Sequence, residues 1–194
     1  MASLPSGMKR PWLFEAFPAL EQGVPWNWQS FGEYLGRLEG NLGVNAGFMA
    51  GHSAIRRVVM GERAVGHEAT EEELKEMVAL LDDAMTAGYP GFSTDGLPLH
   101  FLANQPHLDK RIPTQYARFS EYKALTDVVR QHDRVWQMTP STDDGALTLR
   151  LFLLTSGRLH GKRLKITALA ALDSAINRMF RLQALGFSKV LNSR

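Results

Sequence analysis

A chain of 194 residues with 44% hydrophobic and 22% charged content can bury a sizeable core, which excludes disordered and collagen-like classes. The absence of cysteine excludes disulfides, thiolate zinc ligands and a cysteine nucleophile. Net charge is only +2 but uneven: from Gly145 onward nine Lys or Arg face one acidic residue, Asp173, so the two portions carry formal charges of about −6 and +8. The basic residues alternate with apolar positions, which favours portions that attract each other or neighbouring subunits over a nucleic-acid face.

Residues 1–28 are rich in Pro and aromatics, including Pro11, Trp12, Phe14, Phe17, Pro25, Trp26 and Trp28, a composition suited to an irregular segment that packs by inserting rings. Lys9, Arg10 and Glu15 interrupt the apolar pattern after Met1–Gly7, so no signal-peptide core is expected, and the longest apolar run is too short to span a bilayer. A cytoplasmic location is the default expectation. Ser30 has the chemistry of an N-cap, and Phe31, Tyr34, Leu35 and Leu38 space a helix ending near Gly40.

The run Val44–Ala50 reads as a strand buried on both faces, emptying into Gly51-His52-Ser53-Ala54-Ile55-Arg56. Thr70 and Glu73 stand at capping-box spacing, Leu74, Met77, Val78, Leu81 and Met85 follow the helical period, and Gly88 closes the helix. Tyr89–Thr94 gives a second strand, and Asp95–Phe119 a long irregular stretch with Pro98, His100, Pro106, His107 and Pro113. Ser120 is the next expected N-cap, for a helix through Leu125, Val128 and Val129. The strand Val135–Thr139 comes next, then a stripe of Leu147, Leu151 and Leu154 ended by Gly157, the strand Leu164–Ala170, and a final helix over 173–185 closed by Gly186. Four strands alternating with helices predict one α/β domain over 1–194, with parallel strands and polar chemistry beyond their carboxyl ends.

No HxH or HExxH spacing occurs among the six histidines, so a locally encoded zinc site is not expected, and neither a glycine-rich phosphate loop nor a GxSxG elbow is present. What the strand ends offer is a rim: His52, Ser53 and Arg56 after the first strand, Ser93, Thr94 and Asp95 at the second, Gln137 and Thr139 on the third, Thr167 on the fourth. His52 can serve as donor, proton carrier or substrate anchor near neutral pH, or simply cap its turn; Arg56 can clamp a carboxylate or pair with Glu62 or Asp95. As a site residue, His52 is expected to be at least partly buried, with one ring nitrogen held by a backbone carbonyl or carboxylate and the other facing a cavity.

Several stretches together resemble the D-aminoacylase branch of the amidohydrolases, typified by N-acyl-D-amino-acid deacylases. They are Gly23-Val24-Pro25-Trp26-Asn27-Trp28-Gln29-Ser30-Phe31-Gly32-Glu33-Tyr34-Leu35, Val44-Asn45 leading to Gly51-His52-Ser53-Ala54-Ile55-Arg56, Val59-Met60-Gly61-Glu62-Arg63-Ala64, Ala69-Thr70-Glu71-Glu72-Glu73-Leu74 and Gly91-Phe92-Ser93-Thr94. The resemblance implies a (β/α)8 barrel that hydrolyses amide bonds with a metal-activated water. Such a barrel takes roughly 250 residues, so four βα units imply a partial, TIM-like barrel resembling the middle of one. The family's HxH or HxD element and metal-binding cysteine would lie before Met1, and its late aspartate beyond Arg194. Where the family has Thr-His-x-Arg this chain has Thr139-Pro140, and where it has a Ser-His pair this chain has Thr167-Ala168.

The resemblance therefore implies a central amidohydrolase segment for N-acyl-amino-acid-like substrates, incomplete as a catalyst alone, with no metal ligand carried over. Zinc enters only if other segments complete the site. His52, Ser53, Arg56, Ser93 and Thr94 match family positions near the barrel mouth, and with Gln137 and Thr139 they are the candidate substrate-binding residues. Expected partners are further copies of the chain, as a homo-oligomer, and a small-molecule amide; membrane and nucleic acid are not expected. The alternative is a non-catalytic binding or interaction module on the same partial barrel, since an unclosed parallel sheet leaves edges to hide.

Overall fold

The structure, a computed structural model, describes residues 27–103, 105–168, 186 and 189. The aromatic-rich lead before Asn27, the last residues of the Leu164–Ala170 strand and the expected helix over 173–185 lie outside the described residues.

Helix α1 (Phe31–Leu38) starts where expected: the Ser30 hydroxyl accepts from Glu33 N–H, and the Glu33 carboxylate accepts from the Gln29 N–H. Its rings pack it onto the rest of the chain, Phe31 edge-on to Tyr89 and Tyr34 edge-on to Phe48. The Val44–Ala50 strand is a correction. Val44 is 76% exposed, and pairing begins only at β1 (Ala50–Gly51). The ladder sets Ala50 beside Phe92, so continuing it backwards sets Phe48 opposite Pro90, which has no N–H to donate.

The chain turns at once into α2 (His52–Met60), then a 3₁₀ turn over Gly61–Ala64. Helix α3 (Glu71–Thr86) opens on the predicted capping box, with Thr70 accepting from Glu73 N–H and the Glu73 carboxylate accepting from Thr70 N–H. Gly88 takes the expected positive φ of 105° just beyond its end. Strand β2 (Gly91–Asp95) leads into the long connection, where Phe101 bridges Arg111 in antiparallel fashion and a 3₁₀ turn forms over Pro113–Tyr116.

Helix α4 (Phe119–Gln131) begins before Ser120; Arg118 is its N-cap position and offers no side-chain cap, its guanidinium pairing with Glu68 instead. Strand β3 (Val135–Thr139) has the predicted bounds. Helix α5 (Gly145–Leu154) is capped by Asp144, whose carboxylate accepts from Leu147 N–H at 2.8 Å. Gly157 does not terminate it but opens a further turn, α6 (Gly157–His160), where a Cβ would lie 2.8 Å from the Arg163 side chain. Strand β4 (Lys165–Ala168) completes the sheet.

The four strands are parallel and lie in the order β1-β2-β3-β4, with Gly51, Ser93, Gln137 and Thr167 in one register row. Sequential order with crossovers of one hand brings the connecting helices to one face. The pleat agrees: Ala50, Phe92, Thr94, Trp136 and Met138 are buried under helices with Leu81, Met85, Leu125 and Val129, while Gln137, Lys165 and Thr167 on the other face are exposed. Close approach at the sheet demands a glycine at 91, where a Cβ would sit 2.0 Å from the Val135 carbonyl oxygen. No helix among the described residues is long and apolar enough to cross a membrane.

Candidate functional site

The carboxyl ends of the strands carry two sets of polar groups, divided by the sheet. Under the helices, His52 is the first residue of α2, directly after β1, and is 1% exposed. Its Nε2 lies 2.7 Å from Glu121 Oε1 and its Nδ1 2.5 Å from the Thr114 hydroxyl. A carboxylate only accepts, so Nε2 carries the proton and Thr114 donates to Nδ1. Arg56, fully buried one turn along α2, donates through Nη1 to both Glu121 oxygens at 2.6 and 2.5 Å and through Nη2 to the His67 carbonyl at 2.6 Å.

Burial holds the His52 imidazole below its ordinary pKa against the opposing pull of Glu121, so the ring is neutral at pH 7. Burial pushes the Glu121 carboxyl upward, but the His52 and Arg56 contacts outweigh it and leave it below the ordinary carboxylate range. The cluster is therefore a neutral ring beside a balanced buried ion pair. Tyr122 stacks edge-on to His52, donates its hydroxyl to the Thr114 carbonyl at 2.8 Å, and is pushed up to about 12 by burial. Both His52 nitrogens are thus occupied by protein, and the expected free nitrogen facing a cavity is not found.

The other candidates divide according to the pleat. Ser53 accepts from the Thr114 N–H at 3.2 Å, and Thr94 accepts from Trp136 Nε1–H at 3.1 Å, so both are tied into the helix side. Ser93, Gln137 and Thr139 alternate onto the open face, where Thr167 joins Ser93 and Gln137 in one row. Gln137 and Thr167 are exposed and Ser93 half-buried. Sequence reasoning missed Glu121 and Thr114, which lie 69 and 62 residues from His52 and give no local spacing signal.

At the carboxyl end of this open face lies Asp95, register partner of Thr139. Its Oδ2 accepts from His100 Nδ1–H and its Oδ1 from the Leu97 N–H at 3.0 Å.

A zinc ion needs imidazole, thiolate or several carboxylate ligands. The open face supplies neutral oxygens, the Gln137 amide, and one carboxylate with the His100 imidazole bound to it, and the described residues contain no group of three His, Cys, Asp or Glu able to hold a metal. This donor set does not fit a zinc ion.

No protein-family model matches the chain. An uncharacterised protein of Mycobacterium tuberculosis (strain ATCC 25618 / H37Rv) is 32% identical over 140 residues, which cover 70% of this chain and 23% of that protein. D-aminoacylase of Alcaligenes xylosoxydans xylosoxydans is 37% identical over 76 residues, 39% of this chain and 15% of that enzyme. Among solved structures, a D-aminoacylase described by its binuclear metal center matches with TM-score 0.58 and 25% identity over 84% of this chain and 32% of its own. The N-acyl-D-glutamate deacylase of Bordetella bronchiseptica, solved with zinc and a phosphonate inhibitor, matches with TM-score 0.58 over 83% of this chain; at 19% identity it speaks for the fold alone. The chain thus resembles the D-aminoacylase branch of the amidohydrolases in sequence and in fold, and it spans less than a quarter of the length of these curated relatives.

Proposed function

We propose that this chain forms the substrate-side portion of an amidohydrolase of the D-aminoacylase kind, a partial (β/α)8 barrel whose open sheet face receives an N-acyl-amino-acid-like amide. The observation that carries this reading is the row of Ser93, Gln137 and Thr167 across three parallel strands, facing away from the helices. In sheets wound this way ligands lie at the strands' carboxyl ends, and the row stands two residues before the ends of β2 and β3, with Asp95 and Thr139 next along the same face. An amide presents one strong acceptor and one donor, and a carboxamide flanked by two hydroxyls can answer both. Because the donor set does not fit zinc, this chain binds the amide, and metal-dependent hydrolysis falls to other segments or subunits.

The test is an NMR titration of the full chain with N-acetyl-D-leucine. Expected are shifts confined to the Ser93, Gln137 and Thr167 row, and weakening of about fivefold in Gln137→Ala, the worth of about one hydrogen bond. Melting should be unchanged, because Gln137 is exposed and makes no side-chain hydrogen bond within the described residues. Saturable binding that ignores Gln137, or none, overturns the reading. The second reading, a non-catalytic module within a homo-oligomer, draws on β4, which pairs on one side only among the described strands; a monomeric native mass by light scattering removes it.

A further inference from the structure

We propose that a cleft between α4 and α6 is a binding site for a single phosphate group, free or carried by a small molecule. Lys123, Asp127, Arg130 and Gln131 recur at i, i+4, i+7 and i+8 along one stripe of α4, and His160 closes the cleft from the end of α6. The space they line is about 390 Å³. Helix α4 packs on the covered side of the sheet through Leu125 and Val129, so the cleft is separate from the open face and the inference goes beyond the amide reading.

The cleft holds more positive charge than the fold neutralises. Arg130 is 6% exposed: its Nη1 donates to Asp127 Oδ1, its Nη2 to the Leu154 carbonyl at the end of α5, and its buried Nε has no hydrogen-bond partner. Among the described residues Asp127 is the one carboxylate it pairs with, and that carboxylate is shared, because Oδ2 accepts from Lys123 Nζ at 2.8 Å. Two permanent cations thus divide one negative charge, and one of them is removed from water, where imbalance is most unfavourable. Lys123 is half exposed and keeps two further ammonium protons, while neither the Gln131 amide nor the His160 ring makes a side-chain hydrogen bond among the described residues.

His160 responds to that surplus. Burial and then Arg130 hold its imidazole below the ordinary value, Lys123 acts in the same direction, and Asp127 opposes them; these charged groups all face the ring from α4. An anion seated among the two cations and the ring would recharge it. With His160 protonated, three positive side chains stand against one carboxylate, a surplus of two. A phosphate dianion cancels that surplus and brings acceptor oxygens alone to donors on Lys123, Gln131 and His160, whereas a carboxylate leaves one charge unbalanced. With Asp127 among the five lining residues, the cleft suits one phosphate group rather than a polyanion's run of them.

The experiment titrates the full chain with inorganic phosphate, glycerol 3-phosphate and sulfate, followed by NMR at an ionic strength matched with sodium chloride. Expected are saturable shifts at Lys123, Arg130, Gln131 and His160. Saturating sulfate, whose own charge is constant over this range, should raise the His160 pKa by about one unit, so sulfate binds about tenfold more tightly to the protonated ring than at about pH 8. Lys123→Gln should weaken sulfate binding by about tenfold, the worth of one charge-assisted hydrogen bond. His160→Gln should remove the pH dependence and keep the weaker binding of the neutral ring. Glycerol 3-phosphate binding more tightly than inorganic phosphate identifies a phosphate ester and equal binding the free ion, and either upholds the site. Shifts that sodium chloride reproduces, sulfate binding untouched by Lys123→Gln, or an unmoved His160 pKa overturn it. The N-acetyl-D-leucine titration reads the other side of the sheet, so either reading can fail while the other stands.

Discussion

Replacing Glu121 by Gln tests the claim that the buried cluster holds the sheet's carboxyl end together. The substitution keeps shape but removes the charge that balances Arg56, which is fully buried and, among the described residues, pairs with no other carboxylate. An amide nitrogen would also face donors, since Arg56 Nη1 and His52 Nε2 both point their protons at the carboxylate. Breaking a buried pair by removing one partner costs about 3–5 kcal/mol, because the remaining charge stays uncompensated. That is a large share of a domain stability of about 5–15 kcal/mol. With about 2–4 °C lost per kcal/mol at this size, the melting temperature should fall by about 6–20 °C. Urea titration monitored by Trp fluorescence would show the midpoint fall with the slope unchanged. Adding Arg56→Met to a Glu121→Leu variant should recover part of the loss, since no buried charge then remains. A loss below about 1 kcal/mol, the range of an exposed ion pair, would refute the reasoning.

Two further outcomes rest on the same geometry. The lowered pKa of His52 means that the unfolded chain binds a proton below about pH 6.5 while the folded chain does not, so stability should fall with pH from there down to the folded pKa; the lowered pKa of Glu121 adds a second fall of the same sign below about pH 4.5, and His52→Phe should abolish the first step and shrink the second, because His52 also helps to lower Glu121, in pH-dependent urea titrations. Gly91→Ala should cost about 3 kcal/mol or more, or prevent folding, because its Cβ meets the Val135 backbone oxygen at 2.0 Å, whereas Gly145→Ala, with open space around it, should not destabilise by urea titration.

Much of the fold is legible in the sequence because its signals are local. The Thr70/Glu73 box, the Leu74–Met85 stripe, Gly88 and the Val135–Thr139 strand all rest on residues within one or two turns of each other, and each stands where expected. Val44–Ala50 reads as a strand by apolarity alone, but its pairing depends on the missing N–H of Pro90, forty residues away in sequence and adjacent in space. The same limit explains the site. His52 and Arg56 are visible as polar residues after a strand, but their partner Glu121 belongs to another helix, so the choice between ligand contact and internal pairing is decided by a distant carboxylate. His100 is visible only as a loop histidine, because nothing in sequence tells which of its nitrogens a carboxylate will take.

The division between the two polar sets arises from the pleat, one residue at a time. Ser93 and Thr94 are neighbours of similar chemistry, yet one faces the open side and the other accepts from Trp136 beneath the helices. The buried set is concerned with position. Thr114 is held by Ser53 from α2 and Tyr122 from α4, so the connection from Asp95 is anchored where it rejoins the core. Its other end is fixed by Asp95 itself, through Leu97 and His100. The connection is thus pinned at both ends, and the His52 cluster, through Thr114, fixes its return to the core from the helix side of the sheet. The cluster's polar atoms are spent on one another and on holding the connection, and Ser93, Gln137, Thr139 and Thr167, one pleat removed, are left on the face turned away from the helices.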